Sequence, residues 1–159
     1  MAAVPESVPE DRLLRMRNVR ESDLDTVTLL DQAIFVRDAY SYTVLRQFYD
    51  LYAKHFLVLE DEQDIQGYVL VGTAMDRRSW VLGLGVVRER RGRGLGRRLM
   101  LEVLSCLRTD GVEEVRLSVA PSNAPAIDLY KSLDFTVEGG LRKEYFGPGG
   151  DRLIMVRRL

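Results

Sequence analysis

The chain has 159 residues, of which 46% are apolar and 30% charged, and its formal net charge is −1. That length suits one domain with a real core, and the balanced charge argues against a protein that wraps a polyanion over its whole surface. No apolar run approaches the ~18 residues of a membrane span, and one cysteine with one histidine excludes an intramolecular disulfide and any cysteine-based metal cluster.

The start, MAAVPESVPEDRLLRMR, carries acidic residues and two prolines and lacks the basic and apolar regions of a secretory leader. Residues 1–11 are expected to form a loose tail ahead of a single domain over 12–159, in a cytoplasmic protein. LLRMRNVR (13–20) reads as a strand. ESDLDTVTLLDQAIF (21–35) reads as a helix, with Ser22 as N-cap and acidic residues in its first turn. YTVLRQFYDLYAK (42–54) is a second, aromatic-rich helix; its stripe makes Phe48 and Leu51 core candidates. HFLVLED (55–61), IQGYVLVGTAM (65–75) and SWVLGLGVV (79–87) read as strands.

GLGRRLMLEVLSCLRTDG (94–111) is helical: Leu95, Leu99, Val103 and Leu107 recur every fourth residue as one apolar stripe, and Gly111 suits the C′ position. Cys106 falls in this run and reads as a small core residue rather than a nucleophile. VEEVRLSV (112–119) is a strand. SNAPAIDLYKSL (122–133) is a short helix capped by Asn123, with Pro125 tolerated in its first turn. FTVEGGLRKEYF (135–146) and DRLIMVRRL (151–159) read as a closing hairpin around GPGG. The order β-α-α-β-β-β-α-β-α-β-β predicts a mixed α/β fold, with a mixed sheet covered on both faces.

Residues 88–98, RERRGRGLGRR, hold six arginines and three glycines between a strand and a helix. A helix N-terminus presents unpaired N–H groups and a partial positive charge, and glycines before it let an anion approach the backbone. The stretch is neither a Walker loop nor a dinucleotide fingerprint, since no G-x-x-x-x-G-K-[ST] occurs and the glycines run G-x-G-x-G. Two other readings compete: a solvated turn, and a nucleic-acid phosphate patch. Against nucleic acid, the overall charge is not basic and the neighbouring strand interleaves no aromatics apart from Trp80.

Arg91-Gly92-Arg93-Gly94-Leu95-Gly96 resembles the [Q/R]-x-x-G-x-[G/A] motif of the GNAT N-acetyltransferases. Asn123, Ala126, Leu129 and Tyr130 match that family's N-x-x-A-x-x-L-Y. The resemblance covers about residues 13–159. The segment Arg142-Lys143-Glu144-Tyr145-Phe146, with the final apolar strand, is most similar to members that acetylate protein N-termini, including the ribosomal-protein alanine acetyltransferases. The family implies a central mixed, twisted sheet of about 6–7 strands with about four helices on its two faces. It implies acetyl-CoA as cosubstrate and no metal. The pyrophosphate of CoA would sit on backbone N–H groups of residues 92–97, hence Gly92, Arg93, Gly94, Leu95, Gly96 and Arg97, and some of the arginines, Arg91 among the candidates, would meet it or the 3′-phosphate. Backbone groups of Leu84, Gly85 and Val86 would bond the pantetheine amide and polarise the acetyl carbonyl. Gly83 and Gly85 are read as room for that ligand, ahead of tight packing of a helix on the sheet.

Tyr130, seven residues after Asn123, can share its helix face and is the candidate acid for the departing thiolate. The base has no equivalent: where the ribosomal-type enzymes carry a glutamate, this chain has Ser118. Glu60, Asp61, Glu144 and His55 are the remaining candidates, and Tyr40, Tyr42, Phe48 and Tyr49 candidates for a substrate-side wall. The acceptor is expected to be a primary amine of a protein or peptide, possibly N-terminal. The alternatives are a small-molecule amine such as a polyamine or antibiotic, or a non-catalytic acyl-CoA-binding regulatory domain. No membrane partner is expected; the protein would be a monomer or a homodimer paired through its final strand.

Overall fold

Apolar alternation and four-residue spacing become strands and helices over most of the chain. The computed structural model describes residues 13–159; the tail expected over residues 1–11 lies outside them. In order come β1 (Arg15–Asn18), α1 (Leu24–Ile34), α2 (Tyr42–Tyr52), β2 (Phe56–Glu60), β3 (Ile65–Thr73), β4 (Arg78–Val86), α3 (Leu95–Thr109), β5 (Glu114–Val119), α4 (Ala124–Ser132), β6 (Thr136–Val137) and β7 (Leu153–Arg158). The strands form one mixed sheet in the order β1-β2-β3-β4-β5-β7-β6. Every neighbouring pair is antiparallel except β4–β5.

Each face has its own core. On one side α1 and α2 bring Leu24, Val27 and Leu45 against Phe56, Val58, Tyr68 and Leu70 of the sheet. On the other, the α3 stripe of Leu95, Leu99, Val103 and Leu107 meets Val69, Val71 and Leu117, and α4 adds Tyr130. Leu99, Val103 and Leu107 are fully buried, and each such side chain contributes about 1.5–3 kcal/mol relative to exposure. β2 is buried on both faces, which explains its unbroken run FLVLE.

The helix ends follow their local chemistry. Gly111 stands at C′ of α3 with φ 77°. Its N–H donates to Arg108 O (3.1 Å) and that of Val112 to Leu107 O (3.0 Å), the pair of bonds of a Schellman motif. Asn123 Oδ1 accepts from Ala126 N–H at the start of α4 (3.3 Å). At α1 the cap differs from expectation. Ser22 lies inside a short 3-10 turn, Glu21–Asp23, and the Asp23 carboxylate takes the Arg20 N–H (2.6 Å).

Four other expectations change. The strand read over 135–146 survives as Thr136–Val137 plus a single bridge, Arg142 to Arg152. Gly139 (φ 69°), Glu144 (φ 51°) and Gly147 (φ 82°) turn the chain out of the sheet. Leu51 is 70% exposed rather than core, whereas Phe48 packs beside Tyr40 and Tyr52 as expected. Cys106 is only half-buried; burial pushes its thiol up, which opposes thiolate formation. Finally, the last strand is not the outermost: β7 lies between β5 and the short β6, which pairs with it at Met155 and Val156, and β1 and β6 are the outer strands.

Arg17 on β1 ties the sheet edge to the start of α1. Its guanidinium donates to Asp23 (2.7 and 3.0 Å) and to Glu60 (2.9 Å). Those bonds hold both carboxyl groups below the usual carboxylate range. Groups with depressed folded pKa values stabilise the fold above their unfolded values of roughly 3.9 and 4.3. That stabilisation is lost as pH falls through the lower folded values. The thermal midpoint should therefore drop on acidification below about pH 4.5. Arg17→Met should lower the midpoint at pH 7 and flatten that acid limb, as read by melts from pH 3 to pH 7.

Candidate active site

The sheet opens at its only parallel pair. β4 meets β5 at Arg78↔Glu114, Ser79↔Val115 and Trp80↔Arg116, and no further. Beyond that point β4 stays on β3 as far as Val86, and β5 stays on β7 as far as Val119. Each strand thus keeps one neighbour and presents a bare edge to the other. A bulge accompanies the parting: Val71 faces Val81 but Leu70 faces Gly83, so Leu82 is an additional residue in β4. Bulges bend a strand and raise its local twist, which carries β4 away from β5.

A cavity of about 530 Å³ fills the wedge. β4 lines it with Val81, Leu82, Gly83 and Leu84, and β5 with Leu117, Ser118 and Val119. Asn123, Ala126, Leu129 and Tyr130 come from α4 and its cap, so the two-turn spacing does bring Asn123 and Tyr130 to one wall. Gly85 and Val86 follow Leu84 toward the glycine turn, outside the cavity itself.

Tyr130 is 8% exposed and its ring packs on Phe135, with centroids 5.9 Å apart. Its hydroxyl has no hydrogen-bond partner among the described residues. Burial pushes its pKa up to about 12. It is therefore a protonated donor at neutral pH with its bond unspent. Ser118 supplies a hydroxyl on the opposite wall and no carboxylate.

The glycine turn ends β4. After a 3-10 turn, Arg88–Arg90, Gly92 and Gly94 take φ of 75° and 76°. Gly94 is the N-cap of α3 and no side chain caps the helix. No described residue accepts from the N–H groups of Leu95, Gly96 or Arg97. Free donors, a helix dipole and open space where a Cβ at Gly92 or Gly94 would lie fit a phosphate group. The arginines divide. Arg90 bonds Asp61 (2.9 Å) and Gln66 (3.0 Å), Arg97 bonds Ser132 Oγ (2.7 Å), and Arg98 bonds Leu14 O (3.2 Å). These three fasten the turn to its surroundings, so Arg97 offers the turn its backbone and not its side chain. Arg91 rests lightly on Val86 O (3.3 Å), and Arg88 and Arg93 are exposed. Gly94→Ala should cost about 1–2 kcal/mol of stability for its left-handed backbone. It should also weaken CoA binding more than that of a truncated pantetheine thioester, as measured by titration with both.

Two sequence readings fail here. A Cβ at Gly83 would lie 2.7 Å from the Tyr68 hydroxyl, and one at Gly85 would lie 2.6 Å from Ile34 Cδ1. Gly83 makes room for Tyr68, and Gly85 for α1 and Tyr68, so tight packing accounts for their missing side chains. The base candidates also lie elsewhere. Glu60 is tied to Arg15 and Arg17, Asp61 to Arg90, and His55 to Asp110 at the C-cap of α3 (2.7 Å). Glu144 stands on an exposed turn outside the cavity lining. Of the proposed aromatic wall, Tyr40 alone lines the cavity.

Sequence reasoning missed the far wall. Asp31 of α1, Phe35 at its C-cap, Asp38 from the loop after it, and Phe146 and Arg152 all line the cavity. Arg152 pairs with Asp38 (2.6 Å) and its guanidinium lies 5.0 Å over the Phe146 ring. Arg37 donates to Pro148 O. The α1–α2 loop and the segment before β7 are thereby clasped at the cavity mouth. Among the described residues no group of three His, Cys, Asp or Glu could hold a metal ion, and no helix is long and apolar enough to cross a membrane.

The bare edge of β4 and the free N–H groups behind the glycine turn suit an extended, phosphate-bearing ligand such as a CoA thioester. The acetyltransferase (GNAT) family model matches residues 23–135, and the chain belongs to that family of acetyl-CoA-dependent acetyltransferases. An N-alpha-acetyltransferase of Sulfurisphaera tokodaii is 26% identical over 157 residues, covering 91% of this chain and 93% of the relative. Among solved structures, Ard1 from Thermoplasma volcanium superposes with a TM-score of 0.86 at 21% identity, covering 92% of this chain and 98% of its own. Arabidopsis thaliana Naa50, in complex with the bisubstrate analogue CoA-Ac-MVNAL, gives 0.78 at 18% identity, with 92% and 99% covered.

Proposed function

We propose that the protein transfers the acetyl group of acetyl-CoA to the α-amine of a polypeptide N-terminus, by direct attack of the amine on the thioester. The observation that carries this is one cavity lined both by β4 where it leaves β5 and by Tyr130, whose hydroxyl has no partner among the described residues. The end-to-end likeness to an N-alpha-acetyltransferase supports the choice of acceptor. CoA would lie with its pyrophosphate on the N–H groups of Leu95, Gly96 and Arg97, flanked by Gly92, Gly94, Arg91 and Arg93. Its pantetheine would run along β4 past Val86, Gly85 and Leu84 as a substitute for the missing β5 partner. Asn123 and Tyr130 would face the thioester from α4.

The chemistry asks little of a base. An α-amine of pKa ~8 is roughly a tenth neutral at pH 7, whereas a lysine of pKa ~10.4 is neutral in only about one part in several thousand. Of the two carboxylates on the cavity wall, Asp38 is half-exposed and Asp31 is filled by two donors. Asp38 is itself paired with Arg152, so the ammonium proton is given up to water rather than to a dedicated carboxylate. Tyr130 then donates to the sulfur. Its raised pKa makes it a weak acid beside a thiol near 8.5, so it stabilises the departing thiolate by hydrogen bonding more than by complete proton transfer.

The test is competition between two peptides of one sequence with radiolabelled acetyl-CoA. One has a free N-terminus and dimethylated lysines; the other has a blocked N-terminus and free lysines. Label in the first alone is expected. Label in the second, or label only in polyamines, would overturn the choice of acceptor.

A further inference from the structure

We infer that Asp31 is a positioning residue for thioester activation: through Tyr40 and Tyr68 it sets the bulge in β4 against which the acetyl carbonyl is polarised. This rests on acetyl transfer in the cleft, as proposed above. Asp31 is 1% exposed. Its Oδ2 accepts from the Tyr40 backbone N–H (2.7 Å) and its Oδ1 from the Tyr68 hydroxyl. Neither donor is a cation. A carboxylate buried between neutral donors is a poor way to stabilise a core, and a packed apolar side chain would serve folding better. Its position suggests what is gained.

Both of its partners end on the bulge. The Tyr40 hydroxyl donates to Leu82 O (2.8 Å), and Leu82 is the additional residue of β4. The Tyr68 ring lies directly under the next residue, close enough that a Cβ on Gly83 would come 2.7 Å from its hydroxyl oxygen. Leu82 C=O and Gly83 N–H belong to one planar peptide, so holding that carbonyl fixes the direction of the N–H beyond it. Asp31 therefore links α1, the α1–α2 loop and β3 to the one peptide at which β4 leaves β5. With both oxygens already accepting, Asp31 is not itself the proton acceptor.

The test reads polarisation directly, without an acceptor. Acetyl-CoA carrying 13C at the acetyl carbonyl is bound to the wild type, Tyr40→Phe and Asp31→Asn, and the carbonyl stretch is followed by isotope-edited infrared difference spectroscopy. Bound to the wild type, the band should lie below that of the free thioester. In Tyr40→Phe it should return most of the way to the free value. In the same variant kcat should fall roughly tenfold, the rate equivalent of one hydrogen bond, with KM for acetyl-CoA within about twofold. Asp31→Asn can accept only one of the two bonds and should shift the band in the same direction. Combining it with Tyr40→Phe should cost less than the product of the two losses, because both act through one chain of contacts. A purely structural role would lower the thermal midpoint of Tyr40→Phe and leave its band and kcat unchanged; that result, or losses that multiply, would overturn the inference. If Asp31→Asn does not fold, Tyr40→Phe keeps the ring and the N–H bond and decides alone. Failure of the wild type to bind acetyl-CoA would overturn the function itself, whereas binding with an unshifted carbonyl would overturn this inference only.

Discussion

Tyr130→Phe should lower kcat about a hundredfold while leaving acetyl-CoA affinity within about twofold. The ring fills the wall of the cleft and packs on Phe135, and phenylalanine keeps both contacts. Only the hydroxyl is lost. Because it has no partner among the described residues, its removal orphans no described buried group and should leave the fold intact. The loss belongs at the low end of the ~10²–10⁴-fold range for acid catalysis, since the leaving thiolate is already a fair one at neutral pH. Single-turnover thiol release, beside a thermal shift with acetyl-CoA, separates the two quantities. Unchanged turnover would remove Tyr130 from the mechanism. Weakened binding with unchanged single-turnover rate would make it a packing residue of the cofactor site.

Gly83→Ala should be strongly disruptive for a single added methyl. Its Cβ would meet Tyr68 at 2.7 Å (hydroxyl) and 2.8 Å (Cε2). Tyr68 is fully buried and tied to Asp31, so the ring has no free direction in which to move. Overpacking of this kind costs about 1–3 kcal/mol, and each kcal/mol is worth roughly 2–4 °C at this chain length. Turnover should fall further than stability, because yielding either tilts Tyr68 or moves the bulge. Gly96→Ala is the control: its Cβ would touch Leu129 Cδ2 at 3.5 Å, an ordinary contact. Comparable melts for the two variants would mean that Tyr68 does not occupy the space under β4.

These two positions also mark where the sequence could be read and where it could not. Gly92, Gly94 and the stripe from Leu95 to Leu107 were legible because their meaning is local: a turn, an N-terminus and one face of one helix. Asn123 and Tyr130 were legible for the same reason, two turns apart on α4. A strand glycine announces that room is needed but not who needs it, and so Gly83 and Gly85 were misassigned. Asp31 and Asp38 carry no local signal at all. They reach the cavity because α1 crosses the sheet beside the point where β4 leaves β5, a tertiary fact. The segment before β7 misled by its composition. Leu141, Tyr145 and Phe146 look like strand residues but are 45%, 43% and 56% exposed, because Gly139, Gly147 and Gly149 break the run into turns. Glu60, Asp61 and His55 are suggested as bases by residue type alone, and their partners on β1, in the turn after β4 and at the C-cap of α3 account for them.

The most direct measurement is a crystal structure of the protein with acetyl-CoA. The account predicts the pyrophosphate on the N–H groups of Leu95, Gly96 and Arg97, the pantetheine along the bare edge of β4, and the sulfur within hydrogen-bond reach of the Tyr130 hydroxyl. A cofactor bound with its pyrophosphate away from the glycine turn, or with its thioester outside the wedge between β4 and β5, would contradict it.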